Sequence, residues 1–309
     1  QLYNVLQTSY EGCKSLIPTI QLTNQLCIHL ARIYQRGFQV DMDALMEVRV
    51  EFEQERNVLT VALEEQASDL MGDRTINLNS PEQLSWVIYS RKPHDKKLWA
   101  DLFDERMADA EYKRNVNAYS QKLYKQKAHQ CRTCNGSGQV WKQKKDGTQY
   151  ARSNKCTDCN AIGYTYTDNV SSVAGLKFTP PNAKWISANG FGTGKDNLVF
   201  LEGIARSKGM KVAELFLQNV RRLSAVETYL SSFVEGIATH VKTDGRLHVR
   251  LLQHRTGTGR LSGADPNMQN MPRGGTFPVK KVFISRWHGG KIMEADFAQL
   301  EFRVAAFLS

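Results

Sequence analysis

The sequence predicts a mixed α+β fold, mainly helical, with a small metal-stabilised β insertion and a strand-bearing tail. Three observations predict it. Apolar residues recur at helical spacing over much of 15–127 and again over 196–237. Residues 128–168 are rich in Gly, Lys, Thr and Asn and hold two close cysteine pairs. Beyond residue 239 the pattern becomes alternating, as in HVKTDGRLHVRLLQ and KIMEADFA, before a last helical stretch, QLEFRVAAFLS.

The elements follow in order. Over 15–36, Leu16, Ile20, Thr23, Cys27, Leu30 and Tyr34 share one helical face, and Gly37 follows as a stop. Cys13 and Cys27 read as small buried hydrophobes of this region. FQVD is a short extended link. Asp41 or Asp43 can cap a second helix that runs to about Leu70, with Gly72 after it. A third helix opens at NLNSPEQL, with Ser80 as N-cap, Pro81 in the first turn and Gln83 at the capping-box position. A fourth helical stretch, polar on most faces, is expected over 95–127. Residues 169–195 read as loop, and helices over 196–208 and 211–237 lead into the tail. No internal repeat of fixed period stands out.

Length and composition narrow the possible functions. The 309 residues allow two domains, and a hydrophobic fraction of 41% is enough for a real core. No apolar run reaches the roughly 18 residues of a membrane span, and QLYNVLQTSYEG has no signal-peptide pattern. No membrane partner and a cytoplasmic location are therefore expected. The net charge of +10 favours a polyanionic partner, either nucleic acid or an anionic membrane, with plain solubility as the alternative. Both ends, Gln1 and Ser309, read as cuts within a longer polypeptide.

Cys131, Cys134, Cys156 and Cys159 form two Cys-x-x-Cys knuckles. Each knuckle places two thiolates on one turn, and two knuckles supply the four sulfurs of a tetrahedral structural Zn²⁺ site, an iron–sulfur or redox use being the alternative. The segments CRTCNGSG and CTDCNAIGY resemble the cysteine-rich repeats of DnaJ-type zinc domains. Lysines crowd the insertion, Lys142, Lys144 and Lys145 among them, interleaved with Trp141, Tyr150, Tyr164 and Tyr166. The lysines suit DNA phosphates. The aromatics can either pack the small core or stack on bases.

The segment 245–309 carries ordered motifs: GRLHVRLLQHRTGTGRLSGADPNMQNMP, then FPVKKVFIS, then EADFAQLEFRVAAFLS. With LARIYQRGFQVDMDAL and INLNSPEQLSWVIY upstream, the chain resembles the family A (DNA polymerase I-like) DNA polymerases over about 15–90 and 210–309. The resemblance implies a helical linker and thumb base over 1–127, the zinc-ribbon insertion over 128–168, thumb helices over 169–237, and the start of an antiparallel β-sheet palm over 238–309. It implies template-directed nucleotidyl transfer from a dNTP to a primer 3′-hydroxyl on primer–template DNA, through two Mg²⁺ ions. A phage-type source acting in the host cytoplasm is expected from the insertion.

The resemblance also assigns residues. Asp296, expected at the tip of the strand KIMEAD, matches the carboxylate that holds both Mg²⁺ ions; a plain helix cap is the alternative. The Phe297 backbone carbonyl matches a ligand to the nucleotide-bound ion, although Phe replaces the family's usual Tyr. Glu301 matches the steric gate that closes the pocket where a ribose 2′-hydroxyl would sit. Arg260 matches a minor-groove arginine at the primer terminus, where acceptors recur for every correct pair. Asn267, Gln269, Asn270 and Arg303 match DNA-contacting positions, with turn residues as the alternative for the first three. Fingers motifs and the second metal-binding Asp are not found, so a continuation in cis or in trans is expected as a partner and the chain alone is expected to be inactive. Gln7 stands where the family's proofreading motif has Asp, so no exonuclease site is assigned. The alternatives are a nucleic-acid-binding polymerase half, a chaperone-like zinc domain, disfavoured by only two knuckles, and a single-subunit RNA polymerase, disfavoured by Glu301 and the TGRLSG loop.

Overall fold

The structure, a computed structural model, describes residues 17–93, 120–187, 190–272 and 277–309. Cys13, Gln7 and the first part, 95–119, of the helix expected over 95–127 lie outside the described residues. The fold is mixed, with helices and small antiparallel sheets, and divides into two compact units. One comprises Gln1–Arg56 with Ala225–Ser309, and the other Asn57–Ser224.

In the first unit, α1 (Ile17–Arg36) ends at Gly37 and is followed by β1 (Phe38–Val40) and the start of α2 (Met42–Met71). Asp41 is the cap of α2: its Oδ1 accepts from the Ala44 backbone N–H at 3.0 Å. A three-stranded antiparallel sheet has the order β10–β1–β13, where β10 is Arg246–Leu247 and β13 is Phe283–Ile284. Its register sets Phe38 opposite Leu247 and Val40 opposite Phe283. In the same unit, Tyr229 stacks on Phe277 with centroids 4.5 Å apart and meets Phe52 at 4.7 Å. Burial, helped by the charge of Glu51, pushes the Tyr229 hydroxyl up to about 12. A β-ribbon of β11 (Arg250–Leu252) and β12 (Ser262–Ala264) and the last helix, α7 (Leu300–Leu308), complete the described part of this unit.

The second unit holds the rest of α2, then α3 (Pro81–Tyr89), α4 (Lys195–Ser207) and most of α5 (Lys211–Tyr229), which a π turn at Leu230–Val234 joins to α6 (Glu235–His240) in the first unit. Leu63, Val87, Ile88, Leu201, Phe216 and Leu217 are essentially inaccessible and form its core. Ser80 caps α3 as expected, accepting from the Gln83 N–H at 3.4 Å. The reciprocal arm differs from a capping box: Gln83 Oε1 accepts from the Asn77 N–H at 2.8 Å, which ties the preceding turn to the helix instead. Four two-stranded ribbons decorate this unit. They pair β2 (Arg91–Pro93) with β3 (Ser120–Lys122), β4 (Tyr124–Gln130) with β7 (Tyr164–Val173), β5 (Gln139–Val140) with β6 (Asn154–Lys155), and β8 (Ile186–Ser187) with β9 (Gly190–Phe191).

Three expectations are corrected. Residues 120–130 form strands, because cross-strand partners in β2 and β7 satisfy their backbone and override a weak helical pattern. Cys27 is exposed, its thiol donating to Gln253 Oε1 at 3.2 Å, and α1 buries no residue. KIMEADFA is irregular and not a strand. No described strand lies beside residues 291–297, and an extended segment without a hydrogen-bonded neighbour is not a sheet member.

Candidate metal centre and nucleic-acid site

The cysteine module is built on a repeated turn. Cys131 and Cys134 are matched, 25 positions on, by Cys156 and Cys159. The Cys131 N–H donates to the Gly163 carbonyl at 2.8 Å, and the Cys156 N–H to the Gly138 carbonyl at 2.9 Å. The Gly138 N–H donates to Cys134 Sγ at 3.3 Å, and the Gly163 N–H to Cys159 Sγ at 3.2 Å. Both glycines are left-handed, with φ of 72° and 87°, and a Cβ on either would stand 2.4 Å from a carbonyl oxygen of the other knuckle. The short likeness between CRTCNGSG and CTDCNAIG was the sequence signal for this two-fold arrangement.

The four sulfurs are buried and lie within 4.8 Å of one another. Cys131 and Cys156 Sγ are 3.8 Å apart, and Cys134 and Cys159 Sγ are 3.6 Å apart. A tetrahedral Zn–S₄ centre with bonds of about 2.3 Å has edges of about 3.8 Å, so the donor set fits zinc. Burial works to raise the Cys134 thiol, but N–H bonds from Gly138 and Gly136 and the neighbouring sulfurs together bring it down to about 7. At Cys156 a backbone bond from Cys159 is outweighed by burial and by the Cys159 and Cys131 thiols, which push it up to about 11.

The module is fastened to the end of α2. The Asp73 N–H donates to the Gln126 carbonyl at 3.0 Å, Asp73 Oδ2 accepts from the Ala128 N–H at 3.1 Å, and Lys125 Nζ donates to the Asp69 carbonyl at 2.6 Å. Arg74 lies 5.9 Å over the Tyr166 ring. Lys142, Lys144 and Lys145 are exposed on the far hairpin.

In the first unit the sequence-predicted residues separate into pairs and singles. Arg260, on the loop between β11 and β12, forms an ion pair with Glu301 in the first turn of α7, so two candidates 41 positions apart meet. The Thr256 hydroxyl donates to the Arg260 carbonyl and steadies that loop, a role that the sequence reading had not assigned. Asn267, Gln269 and Asn270 are exposed on the 3₁₀ turn Met268–Asn270, where Asn267 Oδ1 accepts from the Gln269 N–H at 3.2 Å. Arg303 is exposed on α7.

Asp296 and Phe297 are exposed in the segment before α7, whose N-cap residue is Gln299, in a left-handed conformation. The segment is tethered by Lys280 Nζ donating to Glu294 at 2.6 Å. Among the described residues, the four cysteines alone gather three or more candidate metal-binding groups.

Comparison with known proteins places these residues in context. The family model "DNA polymerase family A" matches residues 175–309, which include Arg260, Asp296 and Glu301. DNA polymerase I of Streptococcus pneumoniae is 38% identical over 82 residues, covering 26% of this chain and 9% of that protein. The thermostable DNA polymerase I of Thermus filiformis is 42% identical over 101 residues, 32% of this chain and 12% of that protein. The chain therefore spans about a tenth of the length of these curated relatives. The POL domain of Pol1 from M. smegmatis, solved in complex with DNA primer-template and dNTP, aligns with a TM-score of 0.45 and 21% identity over 82% of this chain and 28% of that one.

Proposed function

We propose, from the premise that residues 175–309 belong to DNA polymerase family A, that this chain is the thumb and first palm segment of a DNA-directed DNA polymerase. The match of the family model over residues 175–309, within which the ordered motifs of 245–309 lie, is the observation that carries the reading. Since the chain covers a small share of its relatives, the activity proposed is that of the polymerase to which it contributes, acting on primer–template DNA and a dNTP.

In this reading Asp296 provides one carboxylate, and Phe297 one carbonyl, to the nucleotidyl-transfer centre. Mg²⁺ bound there would stabilise the attacking and leaving oxygens of the phosphoryl transfer. The exposure of Asp296 leaves its carboxylate available to hard cations, and no helix-capping role competes for it. Arg260 and Glu301 act as a couple. Glu301 fills the space next to the nucleotide sugar, and its carboxylate holds the Arg260 guanidinium at the place where the primer-terminal base pair presents its minor-groove acceptors. Asn267, Gln269, Asn270 and Arg303 contact the nucleic-acid backbone and minor groove around that couple. The cysteine module binds one structural Zn²⁺. A phage-type polymerase working in the host cytoplasm remains part of the reading. Among the described residues no helix is long and apolar enough to cross a membrane.

Primer extension with the polymerase that contains this chain tests the proposal. Template-directed dNTP incorporation is expected. Glu301→Ala is expected to raise ribonucleotide incorporation by at least tenfold relative to dNTP incorporation, since the side chain excludes a hydroxyl, and to slow dNTP incorporation as well, since it also releases Arg260. Unchanged sugar selectivity would remove the gate from the reading, and absence of templated incorporation by the wild type would remove the reading itself.

A further inference from the structure

We propose that the β5–β6 hairpin of the cysteine module, residues 139–155, is an arm that docks on the phosphate backbone of double-stranded DNA. The choice of DNA rests on the polymerase reading above; the arm itself is read from geometry and charge.

Over residues 124–173 there are eight Lys and Arg (Lys125, Lys127, Arg132, Lys142, Lys144, Lys145, Arg152, Lys155) against three acids, a net of +5. Each of the three acids is already occupied within the module. Asp146 accepts from the Thr148 N–H at 2.9 Å and from its hydroxyl at 2.6 Å, Asp158 accepts from the Thr133 hydroxyl, and Asp168 from the Gln126 amide. No carboxylate pairs with Lys142, Lys144 or Lys145 among the described residues. Their field is therefore directed outward, and an unneutralised cluster of this kind suits a polyanion.

The hairpin is ordered before any partner arrives. Gln143 bridges Gln149, the Tyr150 N–H donates to the Lys142 carbonyl at 3.0 Å, and the Lys144 N–H donates to the Thr148 carbonyl at 2.7 Å. Residues two apart on a strand share a face, so Lys142 and Lys144 stand on the same side as Tyr150, whose ring lies 5.7 Å from Lys144 Nζ. A preformed arm loses little chain entropy on docking. The bonds of β4 to Asp69 and Asp73 fix the base of the module that carries the arm. Two features favour a duplex over a single strand. A two-stranded ribbon is of the size that the DNA major groove and its flanking phosphates admit. The lysine also sits over the tyrosine ring that a stacked base would need.

The test is equilibrium binding of the zinc-loaded full chain to a fluorescent duplex and to a single-stranded oligonucleotide over a range of salt, comparing wild type with the triple variant K142Q/K144Q/K145Q. Three lost phosphate contacts should make the salt slope on duplex shallower by about 2.7, at about 0.9 per contact, and the triple Lys→Arg variant should restore it. Zinc stoichiometry near one per chain in every variant would show that the module stays folded. An unchanged slope with zinc retained overturns the arm and leaves the polymerase reading standing. A loss confined to the single-stranded oligonucleotide overturns the duplex assignment. A wild-type chain with no salt-dependent affinity for duplex overturns both readings.

Discussion

At the scale of single residues, Glu202 shows how charge supports the scaffold. It is nearly buried, and it accepts from Arg206 at 3.0 Å, from Gln218 at 3.1 Å and from Arg221. Burial works to raise its carboxyl, but the Gln218 and Arg221 bonds and both guanidinium charges outweigh it and hold the carboxyl below the ordinary 4.5. A carboxyl depressed on folding stabilises above its unfolded value and loses that contribution as pH falls through the folded one. Denaturant titrations should therefore show stability falling below pH 4.5, and Glu202→Gln should flatten the fall while costing about 1–3 kcal/mol at neutral pH. The Arg260–Glu301 pair is different in kind. Both side chains are mostly exposed, so breaking it should change stability by less than about 1 kcal/mol.

At the scale of elements, the knuckle pair depends on its two left-handed glycines. Gly163→Ala would bring a Cβ to 2.4 Å from the Gly136 carbonyl at a φ of 87°, so the turn must open and its N–H must leave Cys159 Sγ. Competition with a chromophoric chelator should show zinc affinity reduced at least tenfold, whereas Thr148→Ala, at the hairpin tip, should leave it unchanged. Chelation of the wild type should melt the β5–β6 hairpin while α3, α4 and α5, which have their own core, keep their helicity. The helices were legible in the sequence because their caps are local: Asp41 and Ser80 stand where the spacing put them. Strands β3 and β4 were not, since the residues that make 120–130 extended lie in β2 and β7, 27 to 49 positions away. Periodicity within a short window carries no record of such partners.

At the scale of the whole molecule, the candidate site divides in the same way. The four cysteines were legible because knuckle spacing encodes metal geometry, and they converge. Arg260 and Glu301 were legible singly, from the motifs around them, but their pairing was not, because it depends on how the β11–β12 loop meets α7. Asp296 was expected at a strand tip and is found in an irregular, exposed segment tethered by Lys280 to Glu294. The proposed role of this exposed carboxylate in nucleotidyl transfer is what the account stands on. The most direct measurement is single-turnover extension of a primer–template by the polymerase that contains this chain, comparing wild type with Asp296→Ala at saturating DNA. Incorporation falling by at least a thousandfold with duplex affinity within a few-fold of wild type is the predicted result, since the change removes a metal ligand and no phosphate contact. Incorporation that persists at the wild-type rate in Asp296→Ala would contradict it.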